Sequence, residues 1–314
     1  MTSFLPFIGF LASWGLLKLT IPFLQRYLLD QPNSRSSHNS PTPRGGGISF
    51  VLIGSILSIV SGDLTPLIAI PIAILGLVDD LVCLPAKNRY LFQVLIASSI
   101  IFLQPLSNQT LSNLSLGLII LMGGFLVFST TAVINFINFM DGLDGLVAGC
   151  MVIILSTASI STNSSILPLI GSILGFLVWN WAPAKVFMGD IGSTFLGTIF
   201  VGIILKSTSW SQCIGLILVA TPLLADPFFC VIRRFKNNHK IFDAHRLHLY
   251  QRLNQAGWTH SNVAILYVVG TLLLAIIFLS FGLKWTLLFS IFEIIFGAWI
   301  DFKVAISFRN TISS

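Results

Sequence analysis

Ten aspartates and one glutamate are the only acids in 314 residues. Asp30, Asp79, Asp80, Asp141, Asp144, Asp190 and Asp243 lie in polar stretches or at the ends of apolar runs, several beside glycine. Ordinary solvation would use Glu as freely as Asp. Short carboxylates next to glycine suit tight oxygen ligation of a hard cation, Mg²⁺ or Mn²⁺. Any single Asp is ambiguous, because Asp also caps helices and pairs with arginine. The set as a whole points to a cation.

Five polar stretches carry the chemistry. The first runs from Asp30 to His38 and on through Pro41-Thr-Pro-Arg44-Gly-Gly-Gly47. Three glycines entering a helix let backbone N–H groups approach an anion, and Arg44 adds a fork of donors. A tight membrane re-entry turn anchored by Arg44 explains the same residues. The second places Asp79 and Asp80 at the end of an apolar helix, followed by Lys87 and Arg89. A carboxylate is unfavourable at a helix C-terminus. Neighbours on a helix point about 100° apart, so one can face a metal while the other faces a partner. The third reads Asn135-x-x-Asn138-x-x-Asp141-Gly-x-Asp144-Gly. A spacing of three keeps these side chains in rough register if the stretch is helical; a glycine-rich turn with caps is the alternative. The fourth holds Asn180, Lys185, Phe187 and Gly189-Asp190. Asp190 reads as a ligand and as an N-cap together, and Phe187 as packing or as a face for a base. The fifth, from Arg233 to His260, contains Asp243-Ala-His245-Arg246-Leu-His248-Leu-Tyr250-Gln251-Arg252. His and Arg suit a diphosphate, although positive loading of a loop accounts for the arginines alone.

The elements that position these stretches are apolar. Hydrophobic residues make up 55% of the chain and charged ones 9%, against about 25% charged in soluble domains. A soluble surface cannot be built from so few charges, so the chain reads as a membrane protein. A spanning helix needs about 20 apolar residues. Eleven segments qualify, roughly 4–24, 45–61, 64–79, 90–105, 115–135, 145–161, 165–181, 191–206, 210–232, 262–281 and 283–300, with the third, which carries Pro66 and Pro71, short for a span. Of the 17 Lys and Arg, Lys18 falls within the first segment and only Lys206 and Lys284 fall in one set of loops. The positive-inside rule makes the other set cytoplasmic, with the N-terminus outside and the C-terminus inside. Only Asp63 then faces outside, and Asp226 lies within a span. The net charge of +6 reads as this bias and not as a nucleic-acid footprint. Cys83, Cys150, Cys213 and Cys230 form no close pair and read as packing residues. The first segment lacks the basic start and cleavage site of a signal peptide, so it is expected to be retained. The N-x-[ST] triplets at Asn108, Asn113 and Asn163 carry little weight. The expectation is one all-α domain over 1–314, a polytopic helix bundle in the cell membrane, with its active site on the cytoplasmic face.

Taken in order from about Asp30 to Gly257, the five stretches resemble the polyprenyl-phosphate N-acetylhexosamine-1-phosphate transferases, glycosyltransferase family 4. That superfamily includes the phospho-MurNAc-pentapeptide translocases and the enzymes that start O-antigen and teichoic acid synthesis. The resemblance implies transfer of a sugar phosphate from a UDP-sugar to polyprenyl phosphate, releasing UMP, with Mg²⁺ (or Mn²⁺). It also implies that Asp79 and Asp80 are the family's paired aspartates, and Asp141 and Asp144 its DGxDG pair. Asn138 and Asp190 match metal positions, and Asn180, Phe187 and Asp144 match uridine contacts. His248 matches the first histidine of an HxHH-like motif. Tyr250 and Gln251 stand where many relatives have further histidines, and the HRLHLYQRL form looks more like the O-antigen and capsule branch.

The expected catalytic set is therefore Asp79, Asp80, Asp141 and His248. Arg44, Asn180, Phe187, Asp144, His245 and Arg246 are expected to bind substrate, and Asp190 and Asn138 to hold the metal. The expected partners are the UDP-sugar, the lipid phosphate, membrane lipids and a second copy of the chain, with no nucleic acid. An ion-coupled transporter is the rival from another class; it predicts carboxylates near the midplane and internal repeats. A non-catalytic scaffold predicts loss of the motif acids, all of which are present.

Overall fold

A computed structural model describes residues 2–32, 37, 38, 40–239 and 245–308. Asp243, Arg35, Lys240 and Arg309 lie outside the described residues. The helices are, in order, α1 (Leu5–Tyr27), α2 (Ile48–Val60), α3 (Thr65–Val82), α4 (Ala86–Leu103), α5 (Pro105–Ser112), α6 (Leu116–Phe139) and α7 (Leu146–Thr162). They continue as α8 (Leu167–Asn180), α9 (Asp190–Ile204), α10 (Trp210–Val219), α11 (Thr221–Lys236), α12 (Leu249–Gln255), α13 (His260–Phe281) and α14 (Leu283–Lys303). Proline sits in the first turn of α1, α3, α5, α8 and α11, where its missing N–H costs no helical bond.

The chain is nearly all-α, with one correction. Leu29–Asp30 (β1) pairs antiparallel with Thr42–Pro43 (β2), in register Leu29↔Pro43 and Asp30↔Thr42. Pro41 and Pro43 keep this stretch out of a helix, and the short ladder, extended by the Arg44 N–H donating to the Leu28 carbonyl (2.9 Å), fixes both Asp30 and Arg44 at the loop's base.

Each apolar segment read from the sequence falls on helix. Among the described residues, five helices are long and apolar enough to cross a membrane: α1, α3, α6, α13 and α14. The count rises to seven if α4 with α5, bent by 77°, and α10 with α11, bent by 78°, are each one span. The segment 64–79, expected to be short for a span, belongs to α3 and is among the five. The shorter apolar helices α2, α7, α8 and α9 have 13, 17, 14 and 15 residues. At 1.5 Å per residue, 15 residues cover about 22 Å, short of the roughly 30 Å hydrocarbon core. Of these, α9 forms the centre of the bundle, with every residue after Asp190 buried, while α2 and α8 keep outward faces at Ile56, Val60, Leu167 and Val178. The long helices turn large apolar side chains outward, as at Phe125 and Phe128 on α6 and Phe292 and Trp299 on α14.

Small residues let the central helices touch backbone to backbone. Gly171 and Gly175 of α8 lie against the carbonyls of Pro6 and Phe10 on α1, where no Cβ fits, as in close helix pairs in lipid. α3 and α9 run antiparallel. Their far ends are tied by Lys206 Nζ, which donates to Asp63 Oδ1 at 2.7 Å. Their near ends build the site.

Candidate active site

Asp79 and Asp80 end α3, and Asp190 begins α9. Gly76 permits the approach, since a Cβ there would stand 2.5 Å from the Asp190 carbonyl oxygen. Gly47 does the same for α2, where a Cβ would lie 2.6 Å from Gly192 Cα. Three helix ends thus converge, and their acids with them.

The two adjacent aspartates divide as helix geometry requires. Asp80 accepts from the Ile191 N–H (3.2 Å) at the start of α9. Its Oδ1 is 3.9 Å from Arg44 Nε, and Arg44 Nη2 donates to its carbonyl. Asp79 turns away. It accepts from Arg89 Nη1 and from the Leu84 N–H, both at 2.7 Å. Arg89 Nη1 also lies 3.4 Å from Asp190 Oδ2, so Arg89 bridges α3 and α9.

The third stretch is not one helix. α6 stops at Phe139, and Gly145 (φ 72°) turns the chain into α7. Asn135 and Asn138 keep their relation on α6, while Asp141 and Asp144 fall beyond its end. Asn135 is buried and pairs with Gln93 through Asn135 Nδ2 to Oε1 (2.7 Å). Asn138 accepts from Ser193 Oγ of α9 at 2.9 Å. Asp141 and Asp144 sit in the turn. Asp144 accepts from the Ala184 N–H at 3.0 Å, and its Oδ1 is 3.2 Å from His260 Nδ1. Asn180 is buried, accepting from the Gly145 N–H (3.1 Å) and donating to the Val186 carbonyl (3.0 Å). Phe187 meets the His38 ring edge-on at 4.9 Å.

These groups line one cleft of about 690 Å³. Asp80, Asp141, Asp144, Asp190, Arg44, Asn138, Asn180 and Phe187 all reach it. Asp30, His38, Gln251 and His260 reach it as well, and the sequence reading had not assigned them. His260 opens α13 behind Thr259, whose hydroxyl caps the helix by accepting from the Asn262 N–H. A histidine at the mouth of a span was the available signal.

Asp79, His245, Arg246 and His248 are not among the lining residues. The two histidines lie instead beside Cys230 and Asp226 of α11. Asp226, on α11, accepts from the N–H groups of Leu249 (2.8 Å) and Tyr250 (3.0 Å) and from Tyr267 Oη (2.8 Å). It caps α12 from outside and draws the chain inward. His248 is buried, with its ring 5.7 Å from Tyr250 and 4.8 Å from His245. Burial, with His248 and Arg234 nearby, pushes His245 down to about 3, so it is neutral. Loop five reaches the cleft through Gln251 and His260 instead.

Five carboxylates, of Asp30, Asp80, Asp141, Asp144 and Asp190, thus face Arg44, His260 and the edge of Arg89. Burial and the charges of Asp80 and Asp144 push the Asp141 carboxyl up to about 7. Such a surplus of oxygen donors calls for a proton or a divalent cation. All-oxygen donors fit Mg²⁺ or Mn²⁺, and the α9 N-terminus beside them favours anions such as phosphate.

The sequence profile of glycosyl transferase family 4 matches residues 64–208. The chain is 31% identical to a probable undecaprenyl-phosphate N-acetylglucosaminyl 1-phosphate transferase of Bacillus subtilis (strain 168), over 92% of this chain and 88% of that protein. It is 29% identical to the phospho-N-acetylmuramoyl-pentapeptide-transferase of Staphylococcus carnosus (strain TM300), over 86% and 96%. To the protein of the same name from Halalkalibacterium halodurans it is 31% identical, over 86% and 94%. The chain belongs to glycosyl transferase family 4, the superfamily of polyprenyl-phosphate N-acetylhexosamine-1-phosphate transferases.

Proposed function

We propose that this protein transfers an N-acetylated sugar 1-phosphate from a UDP-sugar to undecaprenyl-type phosphate, releasing UMP. The step would initiate a cell-surface glycan. The observation that carries this reading is the surplus of carboxylates at the meeting of three helix ends, with Arg44 beside them. The names of the relatives supply the sugar 1-phosphate and the undecaprenyl phosphate. The HRLHLYQRL stretch favours the O-antigen and capsule branch. The acids of the cleft gather at helix ends, not mid-span, so nothing favours the transporter reading.

Asp190 and Asn138 would hold Mg²⁺, with Asp80 and Asp141 at hand. Bound there, the cation supplies charge neutralisation to the diphosphate and the departing UMP. The chain's own groups do the rest. Phe187 offers a face to uracil, with Asn180 and Asp144 at the same wall. Arg44 steadies a phosphate with its fork of donors. Asp80, rather than Asp79, orients the lipid phosphate and takes any proton it carries, because Asp79 is committed to Arg89. The lipid phosphate attacks the β-phosphorus directly. It is already an anion at neutral pH, so it needs orientation more than covalent activation.

The test uses purified enzyme with a panel of labelled UDP-sugars, with and without polyprenyl phosphate and EDTA. Lipid-linked label should appear with one N-acetylated donor and vanish with EDTA. No product from any donor would refute the reading, and exchange of UMP into UDP-sugar without lipid would refute direct transfer. The arrangement in the membrane is proposed on the Lys and Arg bias, with N-terminus outside and cleft and C-terminus cytoplasmic; eleven crossings result if the two bent pairs and the four short helices α2, α7, α8 and α9 each cross. A C-terminal phosphatase reporter should be silent; an active one contradicts this topology.

A further inference from the structure

α11 and the segment entering α12 bring three metal-ligating side chains together away from the cleft. Cys230 Sγ and one ring nitrogen each from His245 and His248 lie within 4.8 Å of one another. Cys230 and His248 are 4% and 3% exposed. His248 Nδ1 has no solvent access and no hydrogen-bond partner among the described residues. The carboxylate it faces, Asp226 Oδ1, stands 3.7 Å away, beyond hydrogen-bond reach. A buried ring nitrogen without a partner is costly and asks for a ligand. Asp226 and Cys230 are four residues apart on α11, hence on the same helix face.

We propose that Cys230, His245 and His248 form a structural zinc site, separate from the carboxylate cleft. The donor chemistry selects the ion. A thiolate and two imidazoles suit zinc and are poor ligands for Mg²⁺, while the oxygen donors of the cleft have the reverse preference. Tetrahedral zinc, with bonds of about 2.0–2.3 Å, sets its donors roughly 3.3–3.8 Å apart. Closing from the observed spacing takes roughly one ångström of side-chain movement. Asp226 Oδ1, which accepts from the Leu249 N–H, is placed to complete the coordination or to fix His248 from behind. Binding releases the Cys230 thiol proton to solvent.

The ion fastens the entry to α12 onto α11. That segment matters to the cleft: Gln251 lines it, and Tyr250 Oη donates to the Phe139 carbonyl at 2.9 Å, where the Asp141 turn begins. Zinc would therefore hold one wall in place without touching substrate.

The test is metal analysis of protein purified in detergent without a histidine tag, after equilibration with micromolar zinc and gel filtration. Wild type and Cys213→Ser should each retain about one zinc per chain, and Cys230→Ser and His248→Gln almost none. In case those variants fold poorly, wild type stripped by chelator is titrated with Co²⁺. A thiolate-to-cobalt absorption band should appear, and zinc should quench it. Wild type with no more zinc than Cys230→Ser, or a cobalt complex without the thiolate band, overturns the proposal.

Discussion

α3 and α9 lie antiparallel, and their two ends treat acids in opposite ways. At one end Asp63 accepts from Lys206 Nζ (2.7 Å), the Thr65 N–H (2.9 Å) and the Ser165 N–H (3.1 Å). Burial works against its charge, but these donors hold the Asp63 carboxyl below its usual value. At the other end Asp80 and Asp190 crowd together with Asp141 and Asp144, and Arg44 and Arg89, the latter mostly taken up by Asp79, do not balance them. An acid with all its partners supplied by the chain fastens a fold. A group of acids short of partners is open to a ligand from outside. The pair of helices is a rigid strut with a closed end and an open one.

The largest effect that can break this comparison is at the closed end. Asp63→Ala strands Lys206 and two backbone donors in a largely buried place. It should cost about 3–5 kcal/mol, the usual penalty for removing one partner of a buried pair. The melting temperature in detergent should fall, while turnover at low temperature stays near wild type. A variant that melts normally but turns over slowly would reverse the roles of the two ends.

At the open end the signature is opposite. Asp190→Asn keeps its shape and place on α9 but removes a charge from the proposed cation site. Turnover should drop roughly 100- to 1,000-fold, the scale of a lost charge-stabilising group in an active site, with little change in melting. Full activity at limiting Mg²⁺ would remove Asp190 from the metal site.

Not all of this division was legible in the residue order. The Asp-Gly pairings at 141, 144 and 190 point to a site as a set, although Gly62-Asp63 shows that a single glycine beside an acid also serves a closed structural contact. The apolar segments also appear wherever hydropathy places them. Three things were hidden, each for a physical reason. The helical register of Asn135 to Asp144 stops at Asn138 because α6 ends at Phe139, which leaves Asp141 and Asp144 in the turn; Asn135, inside α6, is taken up by Gln93 from α4. The histidines of loop five turn inward because Asp226, inside α11, caps α12; such a cap between elements leaves no local signal. Segment 210–232 breaks between α10 and α11, where Ala220 and Pro222 accommodate a 78° bend.

A smaller effect sharpens the account within the cleft. Phe187 is half-buried at the wall shared with Asn180. If it stacks on uracil, Phe187→Ala should raise the donor KM by roughly 5- to 200-fold, for about 1–3 kcal/mol of stacking. UMP or UDP should also inhibit better than cytidine or adenosine nucleotides. An unchanged KM would leave Phe187 as packing, on the same footing as the closed end.

The most direct test asks whether the open end binds a divalent cation. Purified wild type, Asp190→Asn and Asp63→Ala are titrated with Mn²⁺ and bound ion is read by electron paramagnetic resonance. Wild type and Asp63→Ala should each take up Mn²⁺ that Mg²⁺ displaces, and Asp190→Asn should bind it far more weakly. Equal binding by wild type and Asp190→Asn, or no Mg²⁺-displaceable binding by wild type, would contradict the claim that the unpartnered acids of α3 and α9 form the metal site.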